Sequence, residues 1–492
     1  MIMIFVLLFF TIKAFSQFVT MFNDTLMPLG LGGYGFSNIV ADDSFYYASG
    51  GVNNYETNWQ SMIVKLDKNG AVLKVKKNID SNKYYADYPY NTMILNENIL
   101  LMCPQVVDSV STNGYVIAID KNTLDTLWTK KYLHPDTLAA SQSGVHAFSD
   151  LTAIKALSDG GYILTGNYTK DCITGNIRSF LMKIDSVGNV QWRRVYNDLS
   201  HLFDIELTSD GGFVVIKKFY GPHIVKLDSL GNILWSKKIN SDTINSAVSD
   251  LSYAGNNQFV GVTAYIKNGS ISYPTYGLNV FKIDMNNQQV IWDKKHADFY
   301  SVQTISLHRA AGIEVLPNGD IIVNTTVADV FQKGMILKLN TQGNKLWSKT
   351  YNYGGYYGFD SQINDLIVAD DGGFVGVGYC MPVNSNMTSW IFKTDENGVI
   401  GWEASIPINA NKIKVWPNPA YDYINIEFKS PIKGALDLTF YNSVGKMVKH
   451  YLLSKNQAQN RINISDLESG IYFCEITQNG EILGVQKIVI IK

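Results

Sequence analysis

DLTAIKALSDGGYILTGNYTKDCITGNIRSFLMKIDSVGNVQWRRVYN, residues 150–197, is the stretch that decides the fold. SDGG (158–161) and DSVGN (185–189) are turn signals, because Asp-Gly and nearby glycines supply the positive φ that a tight hairpin needs. The segments around them, read as strands A to D, form a four-stranded antiparallel unit. YILTG is apolar on both faces, so the sheet must be covered on both sides.

The pattern recurs along the chain. Its third strand and following turn read IVKLDKNG (63–70), VIAIDKNT (116–123), LMKIDSVG (181–188), IVKLDSLG (224–231), VFKIDMNN (280–287), ILKLNTQG (336–343) and IFKTDENG (391–398). The mean step is about 55 residues, near the longer propeller periods. A Trp follows six of the seven anchors, at Trp128, Trp192, Trp235, Trp292, Trp347 and Trp402, and Lys74 replaces it in the first copy. Radial stacking of such units leaves few open sheet edges. The expected fold is therefore all-β, with a seven-bladed β-propeller over 18–408, and its tryptophans are expected to be staples between blades. FVTMFNDT (18–25) is a candidate extra strand to close the ring, and VIGWEAS (399–405) competes as the fourth strand of the last copy.

Bulk composition narrows the function. The chain of 492 residues carries a formal net charge of −2, with no basic block of the kind that phosphate neutralisation needs, so a nucleic-acid partner is not expected. The four cysteines are Cys103, Cys172, Cys380 and Cys474, too scattered for a zinc site or a disulfide framework. The Asp-rich turns lack the alternating oxygens and closing Glu of a calcium loop and read as Asx turns. No metal and no cofactor are expected. The apolar run Ile2–Phe10 is too short to span a bilayer, and residues 1–17 read as a secretory signal peptide although the only charge, Lys13, follows the apolar run. No later segment reads as a transmembrane span.

The A–B and C–D turns are short and share one rim. The B–C loops and the links between copies are longer and share the other, where binding is expected on a rigid scaffold. That face would present Tyr55, Trp59, Tyr273, Tyr276 and Tyr356 with His146, His201 and His308. Such aromatics suit contact with a glycan or a protein, and equally serve to pin long loops. The histidines come without a nucleophile elbow, an HExxH or a fixed carboxylate pair, so no catalytic residue is assigned. A non-enzymatic binding module is the leading expectation. The alternative is a secreted carbohydrate-active hydrolase or lyase with its site in the propeller funnel.

Beyond Asn409 the pattern changes to strand signals at 8–12 residue spacing, as in a small β-sandwich. VWPNPAYDYINIEF (415–428), NSVGKMV (442–448), ISDLESGIYFCEI (464–476) and the ending KIVIIK occur together and in order. On these motifs residues 412–492 resemble the type A C-terminal sorting domain of the type IX secretion system. The resemblance implies an Ig-like sandwich and a Gram-negative cell. It further implies export through that machinery to the medium or the outer cell surface, with Pro417, Asn418, Pro419, Gly445 and Gly470 as fold-defining turn residues. A second resemblance is looser. VIAIDKNTLDTLW (116–128) resembles the blade motif of pyrroloquinoline-quinone-type propellers. Seven copies and no adjacent cysteines limit it to the repeat fold, without the quinone enzyme's chemistry.

Overall fold

A computed structural model describes residues 19–22, 31–54, 57–77, 84–86, 92–107, 111–132, 147–169, 177–217, 223–239, 249–266, 275–300, 312–328, 332–352, 359–381, 388–400, 413–428, 436–442, 447–453, 459–478 and 481–492. The chain divides into two compact bodies, the larger covering Thr20–Gly398 and the smaller Val399–Lys492. Among the described residues there is no helix, and every regular element is a strand.

Among the described residues the larger body has five four-stranded sheets and one ten-stranded sheet, in which two further units are joined by a short parallel pairing of Ser111 and Thr112 with Ala147 and Phe148. In unit three strands A to D are Ala147–Ala156, Tyr162–Thr169, Arg178–Ile184 and Val190–Tyr196. Strand A of the other units is Leu31–Ala41 (one), Met93–Asn96 (two), Leu202–Leu207 (four), Ser249–Tyr253 (five), Gly312–Val315 (six) and Phe359–Val368 (seven). These A strands touch in a closed cycle, each packing on the next and the seventh on the first. Val19–Phe22 pairs with strand C of unit seven, Thr388–Lys393, and so completes the last unit from the beginning of the chain. The competing VIGWEAS lies mostly outside the described residues.

Local chemistry fixes each unit. Asp185 Oδ1 accepts from the backbone N–H groups of Val187 (3.0 Å) and Asn189 (2.7 Å), and Gly188 sits at φ +82°. Asp67, Asp228 and Asn340 cap their turns in the same way. These side chains are Asx caps, each spending an oxygen on its own turn. In units three, four, six and seven the Lys two residues before the anchor reaches back to the A–B turn. Lys226 Nζ lies 2.8 Å from Asp210 Oδ1, and Lys183 with Asp159 and Lys393 with Asp371 repeat the pair.

The tryptophans pack across unit boundaries. Trp128 lies against the core that holds Tyr162 and Ile184 of unit three, and Trp192 against Phe213 and Leu227 of unit four. Trp347 meets Phe374 of unit seven with ring centroids 6.0 Å apart. The turn glycine of the next unit is the seat of the ring. A Cβ on Gly188 would come within 2.8 Å of Trp128, and on Gly343 or Gly398 within 2.7 Å of Trp292 or Trp347. Lys74, which replaces the tryptophan of unit one, donates to the Thr123 carbonyl in the next unit's turn. The position thus keeps its bridging role with different chemistry.

The smaller body has two antiparallel sheets. One joins Ile413–Trp416, Tyr423–Phe428 and Gln459–Asn463, and the other joins Met447–Leu453, Leu436–Asn442, Gly470–Gln478 and Glu481–Ile490. A single core including Ile424, Ile426, Leu438, Phe440, Cys474 and Ile488 draws on both.

Candidate functional site

Most of the aromatic and histidine face lies outside the described residues, including Tyr55, His146, Tyr273, His308 and Tyr356. Trp59 and Tyr276 fall inside strands, Thr57–Asp67 and Thr275–Asp284, and not in loops. Pairing continues as far as Asn54 with Thr57 and Ile266 with Tyr276, so these hairpins run further than the turn residues suggest. His201 is half-buried at the entry to strand A of unit four, with φ +60°. A β-carbon residue in that left-handed region is held there by its surroundings at some cost.

The inner wall of the ring carries a second cluster. It is positioned by the register of the A strands, in which Lys155 pairs with Ile163, Glu206 with Val214, Ser252 with Val260 and Glu314 with Ile322. Each is the second-last strand position before its A–B hairpin, so all stand at one level of the cycle. Two residues earlier another level holds Asn38, Asp204, Asp250 and Asp365. These side chains tie neighbouring units. Asp204 Oδ2 accepts from Leu251 N at 3.1 Å, Asp250 Oδ2 from Ile313 N at 2.9 Å, and Asp365 Oδ2 from Ile39 N at 2.8 Å. Asn38 takes the same direction, donating to Thr92 Oγ1 at 3.2 Å.

Burial dominates the electrostatics. It pushes the Asp365 carboxyl up to about 6 and that of Asp150 up to about 7. Asp250 is driven well above the usual carboxylate range by burial and then by the neighbouring Asp204 carboxylate. Lys155 and Glu206 form an ion pair at 2.6 Å. Burial works against the Lys155 charge, but Glu206, Asp204 and Asp250 together more than offset it and its pKa rises. Glu314 is exposed, and the surrounding protein, with the Asp365, Glu206 and Asp204 carboxylates, raises its pKa to about 7. The arrangement holds protons near neutrality. Its oxygens are nevertheless largely spent on ring closure and on Lys155. Among the described residues no group of three or more His, Cys, Asp or Glu is placed to hold a metal ion. The signal for this cluster was present as Asp or Asn before an aliphatic residue in four A strands: Asn38-Ile39, Asp204-Ile205, Asp250-Leu251 and Asp365-Leu366.

In the smaller body the PNP segment holds the last strand. Asn418 Oδ1 accepts from Val489 N at 2.9 Å, and the Ala420 N–H donates to the Val489 carbonyl at 2.7 Å. Pro417 is half-buried beside it and Pro419 is exposed. Gly470 opens its strand opposite Ile490 in extended backbone and is not a turn residue, while Gly445 lies outside the described residues.

Residues 414–492 match the family model of the secretion system C-terminal sorting domain. The segment is a type IX sorting domain. It implies interaction with that secretion machinery and directs the chain to the cell surface or the medium. Among the described residues no helix is long and apolar enough to cross a membrane.

No curated protein matches the chain. Solved structures similar to it include the Neurospora crassa Pan2 WD40 domain, at 12% identity over 76% of this chain and 94% of that one, with TM-score 0.42. The Penicillium chrysogenum alpha-L-arabinanase complexed with arabinobiose is 9% identical over 78% and 99%, with TM-score 0.40. A protein of unknown function from Bacteroides caccae is 11% identical over 63% and 94%, with TM-score 0.37. At such scores these similarities decide neither the fold nor the activity.

Proposed function

We infer that the chain is an exported binding protein of a Gram-negative cell. In this reading residues 1–17 are the signal peptide, 18–408 a seven-bladed propeller and 412–492 an Ig-like sandwich that serves export. The propeller blades share the repeat fold of pyrroloquinoline-quinone-type proteins without their chemistry. The propeller takes a glycan or protein ligand on its long-loop rim and does not turn it over.

The observation that carries the reading is the unequal division of the connections. Ala156 to Tyr162 and Ile184 to Val190 are closed by tight hairpins, whereas the sequence between Tyr132 and Ala147 and between Tyr300 and Gly312 is longer and lacks the repeat's turn motifs. The repeating framework fixes the first kind and leaves the second free to vary. Glycan and protein arrays probed with the exported chain test it. Saturable binding without product is expected, and product release that disappears on H146A, H201A or H308A would sink the reading.

The alternative, a carbohydrate-active hydrolase or lyase in the axial funnel, turns on Glu314. It is an open carboxyl held near 7, as a general acid requires. Turnover abolished by Glu314→Gln would favour it.

A further inference from the structure

In unit five two departures from the neighbouring units meet at one spot. In units two, three and seven's predecessor the fifth residue of the Trp motif is a tyrosine clamped to the next unit's turn. Tyr132, Tyr196 and Tyr351 each donate their hydroxyl, at 2.7 Å, to the carbonyl of Gly188, Gly231 and Gly398. In unit five, whose strand D is Gln289–Tyr300, the equivalent residue is His296, and the glycine it faces is Gly343. The shorter ring keeps a hydrogen bond to the Gly343 backbone in place of the tyrosine hydroxyl's.

The second departure is on the adjoining strand C, Thr275–Asp284. Asn279 pairs with Lys295 there. The same register position, opposite the residue before the tyrosine, carries Tyr115, Phe180 and Met335 in other units. A small amide therefore replaces a large side chain directly beside a tyrosine-to-histidine change. Volume is lost twice at one spot, and a cleft of about 520 Å³ opens there, lined by Asn279, Asp293, His296, Gly343 and Lys345 with the lysines of the strand. Such a volume suits one sugar-sized ligand.

The lining is polar and incompletely satisfied. Asn279 is 1% exposed, and neither its amide oxygen nor His296 Nε2 has a hydrogen-bond partner within the protein. A buried polar atom left without a partner is costly, so its retention calls for a ligand or solvent atom. The charge balance favours an anion. Lys294, Lys295 and Lys345 stand against the single carboxyl of Asp293, whose pKa burial raises and the Asn279 amide eases. Burial first, and then Lys294 and Lys345, push the His296 pKa down against a hydrogen bond to the Gly343 backbone that raises it, so the ring stays neutral. Lys294 donates to Asn344 Oδ1, which fixes one wall.

We propose that this cleft between units five and six binds an oxyanion, the carboxylate or sulfate of a monosaccharide-sized ligand. The proposal stands independently of the binding reading above.

Isothermal titration of the full chain with D-galacturonate, with neutral D-galactose and with sodium sulfate tests it. Saturable binding of galacturonate and none of galactose is expected. His296→Tyr restores the tyrosine of the other units and Asn279→Met the methionine of unit six. Each should weaken binding at least about tenfold while the melting temperature stays level or rises, because both changes return the framework to its repeat. Sulfate that competes with galacturonate assigns recognition to the oxyanion itself. Galacturonate binding without competition assigns it to a carboxylate on a sugar, and either result upholds the site. No saturable binding of either anion, or equal affinity in the wild type and both variants, overturns it.

Discussion

Asp365 Oδ2 accepts a hydrogen bond from the backbone N–H of Ile39 at 2.8 Å, across 326 residues of sequence. The bond joins the seventh unit to the first. It belongs to the series in which Asp204 holds Leu251 and Asp250 holds Ile313, so the ring closes with the bond that also builds its sides.

Asp365→Leu removes that acceptor while keeping the branched shape of the side chain. The Ile39 N–H, on a residue 2% exposed, then loses its partner. A cost of about 1–3 kcal/mol is expected, and Asp365→Asn should retain most of the stability because its amide oxygen still accepts. Urea unfolding of the three proteins decides between them; equal midpoints for Leu and wild type would contradict the clasp.

Two classes of carboxyl predict the pH profile. Asp150 and Glu314, raised to about 7, and Asp365, raised to about 6, bind protons more readily folded than unfolded. Their contribution is fully present below the unfolded value of about 4 and is lost as pH rises through about 6 to 7. Asp210 has the opposite sign. Burial pulls its pKa up, but Lys226, Thr208 and the Gly212 N–H overcome that and hold it at about 2. Its contribution is present above about 4 and disappears as pH falls towards 2. Thermal stability should therefore rise on acidification from neutrality to about pH 5 and fall again below about pH 4. Asp365→Asn should flatten the upper limb, and a profile that rises steadily from pH 4 to 7 would contradict the account.

Trp347→Ala should destabilise by about 3 kcal/mol, the low end for a large aromatic because the ring is half-buried. The loss should appear as one cooperative shift of the melting curve, since Phe374 and Gly398 belong to the neighbouring unit. Unchanged melting would mean that the ring is not a staple between units.

Removal of 412–492 should leave the chain inside the cell envelope, because the sorting domain directs it outward. Asn418→Ala should reduce delivery less severely, through the lost bond to Val489. Cell fractionation and surface labelling measure both, and normal surface delivery of the truncation would refute the export role.

The repeating units were legible because their signals are local. An Asx-capped turn, a positive-φ glycine and a tryptophan all lie within about a dozen residues of each other. The sorting segment was legible for the same reason. Ring closure was only half legible: the candidate strand at 18–25 could be named, but its choice of Thr388–Lys393 as partner depends on contacts across the whole body. The aspartates of the A strands were in view and unread, because an acid before an aliphatic residue in a buried strand has no local explanation. The partner is the next unit's backbone. Trp59 and Tyr276 were misplaced because hairpin length is set by continued pairing, which the Asn- and Tyr-rich sequence around them does not announce. His296 and Asn279 were invisible for a further reason. Their meaning is a departure from the repeat, and it appears only when the two positions meet in one cleft.

The measurement that bears most directly on the central claim is a glycan and protein array probed with the exported full chain, with product analysis on every positive ligand. The account predicts saturable binding to a defined ligand with that ligand recovered intact. Recovery of cleaved product, abolished by H201A or by Glu314→Gln, would contradict it.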